Sequence, residues 1–147
     1  MGESPFGFDK PEDSLGFLLW QTTITWQRLI KAVLEPYEIS HAQFVIMALL
    51  LWLEEHHHDT TQILLVNLSK LDKMTVSQSL KKLSTQGLVV RTEHATDTRA
   101  KRAALTEKGR ALVRQLVPLV EQVDADFFCA VSEESLIQIL LALGNEG

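Results

Sequence analysis

The sequence has little of what catalytic, redox or membrane proteins are built from. Its single cysteine, Cys129, excludes an intrachain disulfide. The thiol's apolar context, Phe127-Phe128-Cys129-Ala130-Val131, suits a buried structural residue better than a nucleophile. No nucleophile–base pairing is visible, so the expectation is a protein that is not an enzyme and carries no cofactor. The longest unbroken apolar run, residues 44–53, is ten residues, where a bilayer-spanning helix needs about 20. No signal-peptide pattern, internal repeat or low-complexity tract is seen. These absences point to a cytoplasmic protein without membrane contact. At 147 residues, one domain with a real core is expected.

Basic residues are also in deficit. The net charge of −5 is a poor match to the basic footprint of a nucleic-acid-binding domain. The deficit is unevenly spread, however. Residues 70–114 hold 11 Lys/Arg against 4 Asp/Glu, and the rest of the chain holds 3 against 15. Acidic ends would disfavour docking the wrong face on a polyanion.

Within the basic block, Val76, Leu80 and Leu83 recur at i, i+4 and i+7 and define the buried face of a helix. Ser77, Gln78, Lys81 and Lys82 fall on the other side, and no carboxylate lies between Lys73 and Arg91. Such a face can hydrogen-bond base edges while its lysines meet phosphates. For the helix alone, simple solvation explains the pattern as well. The next segment shifts the balance. Gly87 stands where a C′ glycine ends a helix, and residues 88–93 read as a strand. A polar tip follows over 94–100, residues 101–105 return, and Thr106 can cap a new helix. A helix-turn-helix followed by a two-stranded wing is a nucleic-acid-binding arrangement.

These stretches resemble the MarR family of winged helix-turn-helix transcriptional regulators. Residues 72–83 (DKMTVSQSLKKL) resemble the family's recognition helix, and Gly87-Leu88-Val89-Val90-Arg91 its lead into the wing. Asp97-Thr98-Arg99-Ala100-Lys101, followed by Leu105-Thr106-Glu107-Lys108-Gly109, resembles its wing signature and is the most specific match. The resemblance runs from about residue 14 to 143. It implies a mainly α fold with a winged helix-turn-helix lobe over 40–105 and a small β-wing. A helical dimerisation stem would be built from 14–35 and 106–143, all within one domain spanning 1–147.

It further implies a homodimeric, ligand-responsive repressor of double-stranded DNA carrying a pseudo-palindromic operator. Thr75, Ser77, Gln78 and Lys81 would face base edges. Lys73, Lys82, Lys101 and Arg102 would meet phosphates, Arg99 would enter the minor groove, and Asp97 would help shape the wing. Thr98 stands where the family often has a second Arg, a loss Lys101 and Arg102 partly offset. The alternative is a winged-helix module for a protein partner, towards which Thr98 and the acidic total lean. A metal-responsive regulator is the other variant. His56-His57-His58-Asp59 could offer imidazoles and a carboxylate to zinc or nickel, although adjacent loop positions reach one ion poorly. The family's N-terminal sensing cysteine has no counterpart here.

The remaining pattern supplies the scaffold. Residues 14–35 carry a wide apolar stripe, Ser40 with Gln43 makes a capping box, and the helix over 44–53 is apolar all round, so it should be buried from every side. In the first helix of the helix-turn-helix, Ile63, Val66 (or Leu65) and Leu71 should point inward. The long helix after Thr106 should bury Leu112, Leu116, Leu119, Val123 and Phe127 and kink at Pro118. Ser132 can cap a last helix. The apolar stripes of the end helices call for a symmetric dimer. Trp20, Trp26 and Trp52 are either core residues or lining of the cleft between stem and lobe, which in the family holds small aromatic or amphipathic effectors. His41 and His94 read as isolated surface or interface residues.

Overall fold

A computed structural model describes residues 3–92 and 101–145. The α-helices are α1 (Leu15–Leu34), α2 (His41–Glu55), α3 (Gln62–Ser69), α4 (Lys73–Thr85), α5 (Glu107–Phe127) and α6 (Glu133–Leu140). Strands β1 (Val89–Thr92) and β2 (Arg102–Leu105) lie between α4 and α5. Each of these helices starts at a side-chain oxygen that accepts a first-turn N–H: Ser14, Ser40, Thr61, Asp72, Thr106 and Ser132. Such a cap is worth about 1 kcal/mol. The Ser40–Gln43 capping box forms in both directions, at 3.1 Å and 2.8 Å.

The core sits around α2, which packs against α1, α3, α4, α5 and β2. Its inward face comprises Phe44, Ile46, Met47, Leu50, Leu51 and Leu53. The expectation of burial from every side does not hold: Val45 and Leu49 are half-buried and Trp52 is exposed. These three lie at i, i+4 and i+7, along the one side that no helix of this chain covers fully. In α3 the buried residue is Leu65, while Ile63 is exposed. The two lie roughly 200° apart on a helical wheel, so only one can point inward. The buried line of α5 is Gly109, Val113, Leu116 and Val120, with Leu112, Leu119, Val123 and Phe127 half-buried. The helix continues on both sides of Pro118.

The strands pair antiparallel with Val89 opposite Leu105 and Thr92 opposite Arg102. The segment before α3 adds to this sheet: Thr61 bridges Arg102, the Ala103 N–H donates to the Thr60 carbonyl at 3.1 Å, and the Gln62 N–H donates to the Lys101 carbonyl at 2.9 Å. The base of the wing is thereby tied to the helix-turn-helix. Residues 93–100, where the wing tip was expected, lie outside the described residues.

Helices α1 and α6 are left open. Leu15, Phe17, Leu18, Leu19 and Trp20 are exposed on α1, where only Ile30 and Leu34 are buried, and α6 buries none of its residues. Among the described residues, no single helix is long and apolar enough to cross a membrane.

Candidate nucleic-acid interface

Helix α4 is fixed at both ends and along one face, which leaves the opposite face free. At its start the Asp72 carboxylate accepts the Thr75 N–H at 2.7 Å and the Thr75 hydroxyl at 2.9 Å. These bonds hold the Asp72 carboxyl below the usual carboxylate range. Val76, Ser79, Leu80 and Leu83 are buried beneath it. Burial of each aliphatic side chain contributes on the order of 1.5–3 kcal/mol. At its end Gly87 takes a φ of 76°. The Gly87 N–H donates to the Ser84 carbonyl and the Leu88 N–H to the Leu83 carbonyl, at 3.0 and 2.9 Å. That crossed pair is a Schellman motif, and it needs the left-handed conformation glycine adopts freely.

The LTEKG stretch locks this turn from outside. The Thr106 hydroxyl donates to the Gly87 carbonyl at 2.7 Å and accepts the Gly109 N–H at 3.0 Å. A Cβ at position 109 would lie 2.0 Å from the Leu88 carbonyl oxygen, so only glycine lets α5 approach the strand this closely.

On the outer side of α4, Lys73, Gln78, Lys81 and Lys82 are exposed, and Thr75 and Ser77 are half-buried. Among the described residues no carboxylate lies within ion-pair distance of Lys73, Lys81 or Lys82. Gln78, Lys81, Lys82, Thr85 and Gln86 line a groove of about 740 Å³ together with Glu38 and Gln43. Because the Thr75 hydroxyl donates to Asp72, only its lone pairs remain for another partner. The structure thus gathers Lys73, Thr75, Ser77, Gln78, Lys81 and Lys82 on one helix.

In the wing, Asp97 and Arg99 lie outside the described residues. Lys101 is half-buried, with its carbonyl used by Gln62. Arg102, expected at a phosphate, grips Asp59 through two hydrogen bonds of 2.8 and 3.1 Å. The short strand before α3 brings that carboxylate alongside β2. Arg102 therefore anchors the wing base, with much of its charge already matched.

Residues 35–123 match the family described as ArnR1-like, winged-helix domain. The HTH-type transcriptional regulator YdcH of Bacillus subtilis (strain 168) is 34% identical over 127 residues, 86% of each chain. The chain belongs to the MarR family of winged helix-turn-helix transcriptional regulators. Solved MarR-type folds superpose closely. CouR from Rhodococcus jostii RHA1, bound to p-coumaroyl-CoA, is 23% identical with a TM-score of 0.78, covering 92% of this chain and 93% of CouR. The S. aureus MepR–DNA complex is 23% identical with a TM-score of 0.76, covering 88% of this chain and 93% of MepR.

In this MarR-family chain, a cavity of about 430 Å³ opens between the last turns of α1 and the start of α2. It is lined by Gln27, Lys31, Glu35, Glu38, Ile39, Ser40 and His41. The three tryptophans are not brought together. Trp26 donates its indole N–H to Asp124 at 2.8 Å and meets the His41 ring edge-on at 5.1 Å. Trp52 lies eleven residues further along α2, about 16 Å away at helical rise. It stacks on His56 at 4.0 Å and on His58 at 5.7 Å. Trp20 is exposed near the start of α1.

Two further expectations change, at His41 and at Cys129. His41 is not an isolated surface residue: it is half-buried against Trp26, and burial pushes its pKa below the usual value, opposed by the Asp124 carboxylate. The His56 imidazole lies 2.7 Å from the Trp52 carbonyl oxygen and packs on that indole. Among the described residues no group of three or more His, Cys, Asp or Glu is placed to hold an ion. Cys129 is exposed, just beyond the end of α5.

Residues that sequence reasoning passed over also shape the interface. Arg110 makes a two-pronged ion pair with Glu54 at 2.6 and 2.7 Å, joining α5 to the end of α2. Gln86, the C-cap of α4, is tied to Gln43 at 2.8 Å. Separations of 56 and 43 residues hide both pairs from any local pattern.

Proposed function

We propose that the protein acts as a homodimeric, ligand-responsive repressor. Two copies of α4 would enter successive major grooves of a pseudo-palindromic operator, about 34–36 Å apart. The observation that carries this reading is the outer face of α4: exposed, carboxylate-free and cationic, on a helix whose other side and both ends are fixed. Thr75, Ser77, Gln78 and Lys81 contact base edges. Lys73, Lys82 and Lys101 meet phosphates, and Arg99 reaches the minor groove with Asp97 supporting the wing. Arg102 holds the wing base through Asp59.

Residues 14–35 and 106–143 form the dimerisation stem and 40–105 the reading lobe. The uncovered apolar faces of α1 and α6 support that division. The cavity between α1 and α2 suits a small amphipathic or aromatic effector: Ile39 offers an apolar wall, and Lys31, His41 and two glutamates can pair with polar groups. CouR, of matching fold, is bound to p-coumaroyl-CoA, which carries an aromatic acyl group on a much larger polar carrier. The effector releases DNA by binding more tightly to a lobe spacing that no longer fits both half-sites.

The test is Gln78→Ala against a panel of operator variants, each changed at one base pair. Discrimination should relax at one position per half-site, by about 1–3 kcal/mol. An equal loss on every sequence would make Gln78 a backbone contact and remove it from the reading set.

A further inference from the structure

We infer that Gln43 and Gln86 form an amide relay that seats the recognition helix and couples it to the cleft between α1 and α2. The inference rests on the reading of α4 as the DNA-reading helix. Gln43 is 5% exposed, one of two polar side chains, with Ser79, buried among the described residues. Its Oε1 accepts the Ser40 N–H at 2.8 Å, and its Nε2 donates to Gln86 Oε1 at 2.8 Å. Gln86 Nε2 donates in turn to the Glu38 carbonyl at 3.1 Å. The Gln86 backbone closes the last turn of α4 by donating to the Lys82 carbonyl, and its own carbonyl accepts Lys108 Nζ at 3.2 Å. One line of hydrogen bonds therefore runs from the turn before α2, through two amides, to the end of α4 and the first turn of α5.

The direction of this line is fixed by backbone groups at its ends. Turning over the Gln43 amide would set its NH₂ against the Ser40 N–H. Turning over the Gln86 amide would set its NH₂ against that of Gln43 and its oxygen against the Glu38 carbonyl. Either change leaves like groups facing each other and breaks two hydrogen bonds of the line.

Its position gives it a role. Glu38 and Ser40 line the cleft between α1 and α2. Glu38, Gln43 and Gln86 also line the groove that carries Gln78, Lys81 and Lys82. A molecule that shifts Ser40 or the Glu38 carbonyl pulls directly on the C-cap of the recognition helix. Gln43 and Gln86 are positioning residues on this account; DNA is touched by their neighbours.

The experiment compares Gln43→Glu, Gln86→Ala and the double variant in the full-length protein. Gln43→Glu keeps the oxygen that accepts the Ser40 N–H, so the capping box survives, but it has no N–H to give Gln86. Two quantities are read: the ratio of affinities for a duplex of the DNA upstream of the protein's own coding sequence and a scrambled duplex, and amide hydrogen exchange over residues 82–88 in the free protein. Each single variant should lower the affinity ratio about tenfold and speed exchange over 82–88, with scrambled-duplex binding unchanged. The double variant should be no worse than the weaker single. Variants that keep the wild-type ratio and exchange, or whose effects simply add, overturn the relay. A wild-type protein with no preference for the upstream duplex overturns the DNA-reading assignment instead, and exchange over 82–88 then decides the relay by itself.

Discussion

Gly109 and His41 show how much a single position decides here. Gly109 leaves space for the Leu88 carbonyl, which a Cβ would meet at 2.0 Å. Backbone oxygen cannot turn aside as a flexible side chain can, so Gly109→Ala must separate α5 from the strand. A loss of about 2–3 kcal/mol is expected, measured by urea unfolding; an unchanged midpoint would mean the contact is not tight. His41 gives a pH dependence. Its pKa in the folded protein lies below the ordinary 6.5 because burial disfavours the imidazolium. Below that pH the unfolded chain binds a proton the folded chain resists, so stability falls as pH drops. Thermal melts should show a lower Tm at about pH 5.5 than at about pH 7.5, and His41→Gln should reduce the difference. The Glu54, Asp59 and Asp72 carboxyls, held low by their hydrogen bonds, stay ionised across this window and contribute little. An identical drop in the His41 variant would place the sensitivity elsewhere.

Helix starts were legible in the sequence because a cap is local chemistry: Ser40, Thr106 and Ser132 all act where their side chains suggested. The buried face of α4 was legible for the same reason, since Val76, Leu80 and Leu83 need only helical spacing. What a face packs against is not local. Ile63 was expected inside and is exposed, while Leu65, the stated alternative to Val66, is the buried residue of α3; Trp52 stands on an open side of α2, and Cys129 is exposed. The partners of Arg102 and Gln86 lie 43 residues away in sequence, so the wing anchor and the relay had no local signal. For α4 itself, Lys82→Ala should lower the slope of log affinity against log salt by about 1 while leaving base-pair preference intact. A changed preference would make Lys82 a base reader.

Across the whole molecule, charge and apolar surface are sorted into different regions. The basic residues gather over 70–114 and the acidic ones elsewhere. Many of the large apolar residues left exposed lie on α1 and α6. A dimer built on those faces would cover them. Truncation after Ala130 should therefore give monomeric or unstable protein by light scattering, and a stable dimer without α6 would refute the stem.

The most direct test of the account is binding of the intact protein to its own upstream DNA across a salt series, with a scrambled duplex alongside. The account predicts selective binding with a log–log salt slope on the order of −5, as lysine–phosphate contacts release counterions. Weak binding, indifferent to both salt and sequence, would contradict it.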